Sequence, residues 1–209
     1  MNIEGRECLV VGAGAVAARK AKSLLECGAI VTVIGEGPVA SLRRLEGERL
    51  KIRPRKFRRS DMKNYALVFG ATDDAGVNKA LYRESRRRGL PVNVADQPEL
   101  CTFIVPAHYR RGDLSIAVST GGKSPAAARA VREDLEKRYG REYAELVDIL
   151  GAHRECMMES VEGHRRRAAL WRRILDADLL GILRRRGRRA ASEKVRREIC
   201  GSAQEGAGK

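Results

Sequence analysis

A glycine-rich loop near the N-terminus has the residue types and spacing that hold a phosphate-bearing cofactor. Residues 12–17 read Gly-Ala-Gly-Ala-Val-Ala, after the apolar run 8–11 and before an amphipathic stretch. In this pattern the first glycine allows a tight turn, the second lets the main chain approach a pyrophosphate, and the small Ala17 permits close packing of helix on strand. A tight turn without a ligand is the alternative. The loop predicts a dinucleotide site whose amide groups face phosphate at a helix N-terminus, with these cofactor-binding residues: Gly12, Gly14, Ala15 and Val16.

An acidic residue follows the second apolar run, residues 30–34, roughly where a dinucleotide fold places its ribose ligand. Glu36 stands slightly late for that role, so the contact comes from Glu36 or from the main chain of Gly35 and Gly37. A carboxylate here favours NAD because it repels the 2′-phosphate of NADP, although Arg43 and Arg44 could reverse that preference. A solvated loop acid is the alternative interpretation of Glu36.

Polar residues also follow the next two apolar runs, at the carboxyl ends where open α/β sheets bind ligands. Thr72 and Asp73 follow residues 66–69, and they either contact the cofactor or cap the next helix. Asn93 and Asp96 stand at the end of the run 91–94. Asp96 is a candidate general base for proton removal coupled to hydride transfer, with a simple turn residue as the alternative.

A second glycine-containing loop, residues 119–125, reads Ser-Thr-Gly-Gly-Lys-Ser-Pro. Its hydroxyls, glycines and lysine resemble an anion-binding nest, but the spacing is not that of a P-loop ATPase. Pro125 is a favoured first helical residue, so a capped turn is the alternative. The loop predicts substrate contacts at Thr120, Gly121, Lys123 and Ser124.

The elements that position these residues alternate between short β-branched runs and amphipathic stretches from residue 6 to about residue 119. The five runs, 8–11, 30–34, 66–69, 91–94 and 114–118, predict βαβ units around a parallel sheet covered by helices on both faces. Helices are predicted over 16–26 and 74–88.

Beyond Pro125 the β signal ends, and helices are predicted over 126–139, 142–158, 165–175 and 179–186, with breaks at Gly140, Gly163 and Gly187. The small polar residues 201–209 indicate a frayed end. The fold class is therefore α/β: a Rossmann-like parallel-sheet domain followed by a helical C-terminal region.

Composition narrows the class of protein. The 209 residues carry a formal charge of +15, of which +7 belongs to residues 151–209. No apolar run approaches a membrane span and the first residues do not resemble a secretory signal, so a cytoplasmic location is expected. Five scattered cysteines and three scattered histidines form no metal-binding spacing, so we expect neither a disulfide framework nor a resident metal.

The order of the motifs closely resembles the precorrin-2 dehydrogenase family, the N-terminal module of siroheme synthases. The resemblance covers about residues 3–145 and depends on six motifs in the family's order: residues 12–20, residues 71–74, Asn78, residues 92–96, residues 100–106 and residues 119–125. Two details depart from the commoner pattern, namely Ala13 in place of a glycine and the ending Gly35-Glu36-Gly37-Pro38 after the second run.

The resemblance implies NAD-dependent oxidation of precorrin-2 to sirohydrochlorin by a homodimer, and some family members also insert ferrous iron. It implies three regions: an NAD-binding Rossmann domain (1–112), a dimerisation region (113–140) and a basic helical region (141–209). The family's catalytic aspartate matches Asp96, its nucleotide loop matches residues 12–16, and its second nucleotide contact matches Glu36 and Gly37. Thr120 occupies a position that is serine or threonine in the family.

A basic protein suits this polycarboxylate substrate, because opposite charge accelerates encounter. The predicted substrate contacts outside the second loop are Asn93 and two candidate carboxylate clamps, Arg110 and Arg111, for which a solvated surface is the alternative. The competing function is an NAD-responsive module whose arginine-rich tail binds nucleic acid. Only Trp171 lies among those arginines, which disfavours stacking on single strands.

Overall fold

The computed structural model describes the main chain of residues 1–206 and the side chains through Ser202. The chain divides into two compact units, Met1–Val105 and the residues from Pro106 onward. The three-region division remains a prediction, and each compact unit is described by itself below.

The first unit is a parallel five-stranded sheet in the order β3-β2-β1-β4-β5. Its elements are β1 (Glu7–Val11), α1 (Ala15–Glu26), β2 (Ile30–Ile34), α2 (Ala40–Arg43), β3 (Leu50–Arg53), β4 (Leu67–Gly70), α3 (Ala75–Arg87) and β5 (Val92–Val94). Short 3₁₀ turns occupy Arg59–Asp61 and Pro98–Leu100. After β3 the chain crosses to the other side of β1, where it forms β4. Because the strand order reverses at this point, a crevice opens at the carboxyl ends of β2 and β4, the two strands beside β1.

The central strand β1 is buried on both faces because its side chains alternate between two apolar clusters. Cys8 and Val10 pack with α1 side chains such as Ala17 and Leu24. Leu9 and Val11 pack with Leu81 of α3 and with buried residues of β4 and β5. This two-sided burial explains the continuous apolar runs and confirms the Rossmann-like fold class.

Two features of the sheet differ from the sequence-based prediction. Strand β3 was not predicted, because its residues Leu-Lys-Ile-Arg alternate as an edge strand does and lack a continuous apolar run. The run 114–118 was predicted in the parallel sheet and is instead strand β7 (Leu114–Val118), paired antiparallel with β6 (Ala107–Arg111) in a separate hairpin. Gly112 adopts a positive φ of 56°, as the tight connection between two antiparallel strands requires.

In its described residues, the second unit combines this hairpin with helices α4 (Pro125–Arg138), α5 (Arg141–Ala152), α6 (Arg154–Ser160), α7 (His164–Asp176) and α8 (Leu179–Gly206), and Gly187 divides α8 into two helical segments. Buried side chains from α5 to α8 form one core, which includes Ile149, Met157, Ile174 and Val195. The predicted breaks at Gly163 and Gly187 are confirmed, with φ values of 82° and 79°.

Two helical predictions need correction. The stretch 142–158 is two helices that meet at His153. Beyond Gly187 the chain is helical to Gly206, with Ala191, Val195 and Ile199 buried at helical spacing, whereas a frayed end was predicted from residue 201. The rest of that prediction, residues 207–209, lies outside the described residues. In the described part of the chain, no helix is both long enough and apolar enough to cross a membrane.

Candidate active site

The predicted glycine turn lies at the carboxyl end of β1, between the ends of β2 and β4. Gly12 has a φ of 124°, a conformation that side chains with a Cβ rarely adopt. Its N–H donates to the Ile34 carbonyl at 2.8 Å, and a Cβ at this position would collide with the Ala71 carbonyl. The glycine is therefore required by the close approach of β4.

The turn leads directly into the N-terminus of α1. Gly14 is the N-cap residue and provides no side-chain cap for the amide groups of the first turn. A Cβ built on Gly14 would have no neighbour within 4 Å, so its outer side is open to an approaching group. Uncapped amides and the positive end of the helix dipole fit a pyrophosphate, so the residues present suit a dinucleotide.

Gly35 has a steric role that the motif analysis did not predict. A Cβ at Gly35 would lie 2.7 Å from the Gly12 carbonyl carbon and 2.8 Å from the Ala13 nitrogen, although its φ lies outside the left-handed region. The end of β2 therefore presses its main chain against the glycine turn. Sequence alone offers only the glycine itself as a signal, because the contact forms between segments more than 20 residues apart.

A cavity of about 420 Å³ opens at this edge of the sheet. It brings together five of the predicted cofactor residues, which are Gly12, Gly14, Glu36, Thr72 and Asp73. Ala15, Val16 and Gly37 flank the lining residues in sequence, and their contacts remain predictions. The cavity is also lined by Lys56 and Phe57, which no sequence motif identified because the segment after the unpredicted strand β3 was not placed.

The cap of α3 is Asp74 and not Thr72 or Asp73. Its carboxylate accepts the N–H groups of Gly76 and Val77 at 2.8 and 3.0 Å. Asp73 is exposed and lines the cavity, so capping does not explain its residue type. Thr72 is fixed by its neighbours: its hydroxyl accepts the Asp74 N–H at 3.2 Å, and its carbonyl accepts from the buried Asn78 amide at 2.9 Å.

Asp96 is exposed in the turn after β5 and has a φ of 59°, which is uncommon for a residue with a side chain. The main chain before it is held by a hydrogen bond from the Ala95 N–H to the Gly70 carbonyl at 2.9 Å. Asn93 is buried, and its amide donates to the Phe103 carbonyl at 3.0 Å, which ties β5 to the segment after the turn. Aspartate is among the residues that adopt this conformation most readily in turns, so the turn-residue alternative stays open and the role of Asp96 remains a prediction.

Lys20 on α1 is a second charged group near Asp96, and it lies in the motif of residues 12–20, which assigned it no role. Its side chain is half-buried, and its Nζ lies 5.3 Å from the centroid of the Phe69 ring. Burial lowers the pKa of the Lys20 ammonium, as does the charge of Arg19, whereas Cys101 and Asp96 raise it. Lys20 thus supplies positive charge in the neighbourhood of the predicted base.

In the second unit, the predicted anion-binding loop is closed by its own hydrogen bonds. The Thr120 hydroxyl donates to the Ser124 carbonyl at 3.0 Å and accepts the Ser124 N–H at 3.1 Å. Ser124 caps α4 by accepting the Ala127 N–H at 3.2 Å. Gly121 has a φ of 63°, and Lys123 is exposed. The capped-turn interpretation is therefore correct for Ser124, while the substrate contacts of this loop remain predictions.

The two candidate clamps lie on strand β6. The Arg110 Nε donates to the Gly112 carbonyl at 3.0 Å, and the side chain is exposed. The Arg111 Nε donates to the Tyr109 hydroxyl at 2.7 Å, and that hydroxyl donates to the Tyr139 carbonyl at 2.6 Å. Both guanidinium groups are thus oriented by local contacts.

A family model described as "Putative NAD(P)-binding" matches residues 1–107, which are just over half of the chain. The chain belongs to this NAD(P)-binding family. A second model, described as "Sirohaem biosynthesis protein central", matches residues 111–138. Membership of the NAD(P)-binding family confirms the predicted class of cofactor, and the two models together confirm the family resemblance.

Similar proteins extend this result over nearly the whole chain. The siroheme synthase of Methylococcus capsulatus is 38% identical over 204 residues, covering 97% of this chain and 43% of that protein. The siroheme synthase of Methylobacillus flagellatus is 39% identical over 173 residues, covering 82% of this chain and 37% of that protein. The chain therefore spans less than half the length of these curated relatives.

A solved structure of similar length is "SirC, precorrin-2 dehydrogenase". Its sequence is 28% identical to that of this chain, and the two structures superpose with a TM-score of 0.70. The match covers 98% of this chain and 97% of that one, so both compact units have counterparts in it.

Proposed function

We propose that the protein oxidises precorrin-2 to sirohydrochlorin with NAD as the hydride acceptor. The observation that carries this proposal is the end-to-end match to the precorrin-2 dehydrogenase structure, which includes the glycine turn and the second unit alike. The siroheme synthase relatives support the same substrate. When bound, the dinucleotide supplies the redox chemistry, and the protein supplies binding, orientation and proton transfer.

The first unit holds the dinucleotide at the end of β1. Gly12 and Gly14 leave room for the pyrophosphate, and the first amides of α1 donate to it. Glu36 contacts the ribose from the end of β2, and Thr72 and Asp73 close the opposite wall of the cavity. The Asn78 hydrogen bond to the Thr72 carbonyl keeps that wall in place.

Asp96 is the proposed general base. Its carboxylate is exposed at the ligand-binding edge, as a group that receives a proton from a bound substrate must be. The left-handed turn fixes its main chain, and Lys20 brings a positive charge to its neighbourhood. Asp96 therefore accepts the proton that leaves as the hydride is transferred.

The second unit provides the proposed substrate contacts. Precorrin-2 carries several carboxylates, and guanidinium groups bind carboxylates through two hydrogen bonds. The exposed Arg110 and Lys123 are suited to this role, with Arg111, Thr120, Gly121 and Ser124 shaping the surface around them.

The functional unit is proposed to be a homodimer formed through the second unit. In the described part of the chain, β6 and β7 make a sheet of only two strands, so each strand has one edge without a partner. Helix α4 buries only Ala128, and its Val131 is 49% exposed. A second copy that pairs along such an edge and packs on Val131 would cover these surfaces.

The decisive experiment is an anaerobic assay of precorrin-2 with NAD, in which NADH absorbance and the tetrapyrrole spectrum are followed together. We expect Asp96→Asn to lower kcat by about a hundredfold or more, a typical contribution of a general base, while the Kd of NAD changes by less than about twofold. Glu99→Gln is the matched control, since Glu99 is an exposed acid in the following turn. No turnover by folded, NAD-binding wild-type protein would overturn the proposed function, whereas full turnover by Asp96→Asn would remove only the role of Asp96.

A further inference from the structure

The chain segment after strand β3 lines the nucleotide cavity, although no dinucleotide motif includes it. Lys56 and Phe57 share the cavity with Glu36. In the strand order, β3 lies beyond β2 as seen from β1. This segment therefore flanks the end of β2, the side of the cavity opposite to Thr72 and Asp73 at the end of β4.

An ion pair fixes the main chain around these two residues. The Arg55 guanidinium donates to both carboxylate oxygens of Asp61, at 2.6 and 2.8 Å, and also to the Lys56 carbonyl at 3.0 Å. Asp61 also accepts the Arg58 N–H at 2.8 Å. The Asp61 side chain is only 6% exposed, and hydrogen bonds from Arg55 hold the pKa of its carboxyl below the usual range. Bidentate pairs have a defined geometry, so the segment between Arg55 and Asp61 is pre-organised.

The two lining side chains differ in chemistry. Phe57 is half-buried and packs against the apolar cluster that contains Leu9 and Ile34. It presents a rigid apolar surface, which suits a flat heteroaromatic ring. Lys56 is exposed and brings a cation to a cavity in which Glu36 brings a carboxylate. A cation attracts a ribose 2′-phosphate and a carboxylate repels it.

We propose that the Lys56–Phe57 segment, held by the Arg55–Asp61 ion pair, is the adenosine-side wall of the cofactor site and sets its selectivity between NAD and NADP. Phe57 packs against the adenine ring. Lys56 offsets the repulsion that Glu36 exerts on a 2′-phosphate, so selectivity for NAD is smaller than Glu36 alone would produce. The inference rests on the proposed function only in its use of a nicotinamide dinucleotide.

Calorimetric titration of the full chain with NAD and with NADP, without precorrin-2, tests the role of Lys56. We expect Lys56→Ala to weaken NADP binding by about fivefold or more and NAD binding by less than about twofold, which increases the preference for NAD. Lys51→Ala is the control because Lys51 is an exposed lysine on β3 outside the cavity lining, and both affinities should be unchanged. If the ratio of the Kd of NAD to the Kd of NADP is the same in Lys56→Ala as in wild type, the role of Lys56 in selectivity is overturned.

The role of Phe57 is tested by a pair of variants that separates the ring from the buried volume. Phe57→Leu keeps an apolar side chain against the core, and we expect it to weaken both dinucleotides by about fivefold or more, whereas Phe57→Tyr should bind like wild type. Circular dichroism confirms that each variant is folded. Equal affinities in wild type and Phe57→Leu would overturn the packing role. Wild-type protein that binds neither dinucleotide would instead overturn the cofactor of the proposed function.

Discussion

At the scale of single residues, the cofactor turn depends on close contact between main-chain segments that are distant in sequence. Gly12 approaches Ala71 of the β4 end, and Gly35 approaches Gly12 and Ala13. The requirement at Gly35 is steric, because the residue does not adopt a left-handed φ. An alanine there therefore tests the approach itself and not the conformational freedom of glycine.

We expect Gly35→Ala to displace the glycine turn and to weaken NAD binding by about tenfold, with a loss of about 1–3 kcal/mol in the free energy of unfolding. Gly47→Ala is the matched control, since a Cβ at Gly47 meets nothing within 4 Å. Titration with NAD and urea denaturation of both variants provide the measurements. Wild-type affinity in a stable Gly35→Ala protein would show that the turn tolerates the shift.

The sequence predicts such residues only when their signal is local. Gly12 and Gly14 belong to one short motif between a strand and a helix, so they were predicted with their roles. Gly35, Lys20 and Phe57 act through contacts that exist only after the sheet has formed, and their residue types alone do not distinguish them from loop or surface positions.

At the scale of elements, charged side chains stabilise both ends of helix α3. Asp74 caps its first turn, and in its last turns Glu84 accepts hydrogen bonds from Arg87 and Arg88. The Glu84 side chain is 13% exposed. The bonds from Arg87 and Arg88 lower the pKa of Glu84 to about 2.

This pKa predicts the direction of a pH effect. A carboxyl whose folded-state pKa is depressed contributes stability above its unfolded pKa, and this contribution is lost as the pH falls toward the folded value. We expect Glu84→Gln to be less stable than wild type at pH 7, with the difference shrinking between about pH 4.5 and about pH 2. Urea denaturation at a series of pH values measures it.

Glu26→Gln is the control for this experiment. Its ion pair with Lys22 on α1 is longer, 3.9 Å, and its side chains are 58% and 68% exposed. Exposed pairs contribute little, so the stability difference should be small throughout. A Glu84→Gln deficit that stayed constant down to the lowest pH would show that charge is not its cause.

The elements themselves were predicted wherever burial was two-sided. Strands β1, β2, β4 and β5 and helices α1 and α3 follow the expected ranges closely, because continuous apolar runs and helical periodicity are local properties. Strand β3 lacks such a run at the sheet edge. The run at β7 has the composition of a strand, but its partner is decided by the tight Gly112 connection and not by composition.

At the scale of the whole molecule, the hairpin and α4 of the second unit leave strand edges and an apolar side chain uncovered. The sheet of β6 and β7 ends after two strands in the described residues, and Val131 projects from α4 with 49% of its surface exposed. These features predict that two copies associate through this region. The mass of the single chain is 23.1 kDa, so light scattering distinguishes a monomer from a dimer directly.

We expect wild-type protein to have twice the chain mass at micromolar concentration and Val131→Asp to shift the equilibrium toward the monomer, because a buried unpaired carboxylate opposes association. Lys137→Gln on the same helix changes an exposed polar residue and should leave the dimer intact. Because Thr120 and Ser124 precede α4 in the same unit, precorrin-2 turnover by Val131→Asp should fall with dilution while the affinity of the first unit for NAD is retained. If the wild-type protein has the mass of one chain at every concentration and still turns over precorrin-2 fully, the proposed dimer is contradicted. The substrate contacts of the second unit would then come from a single copy.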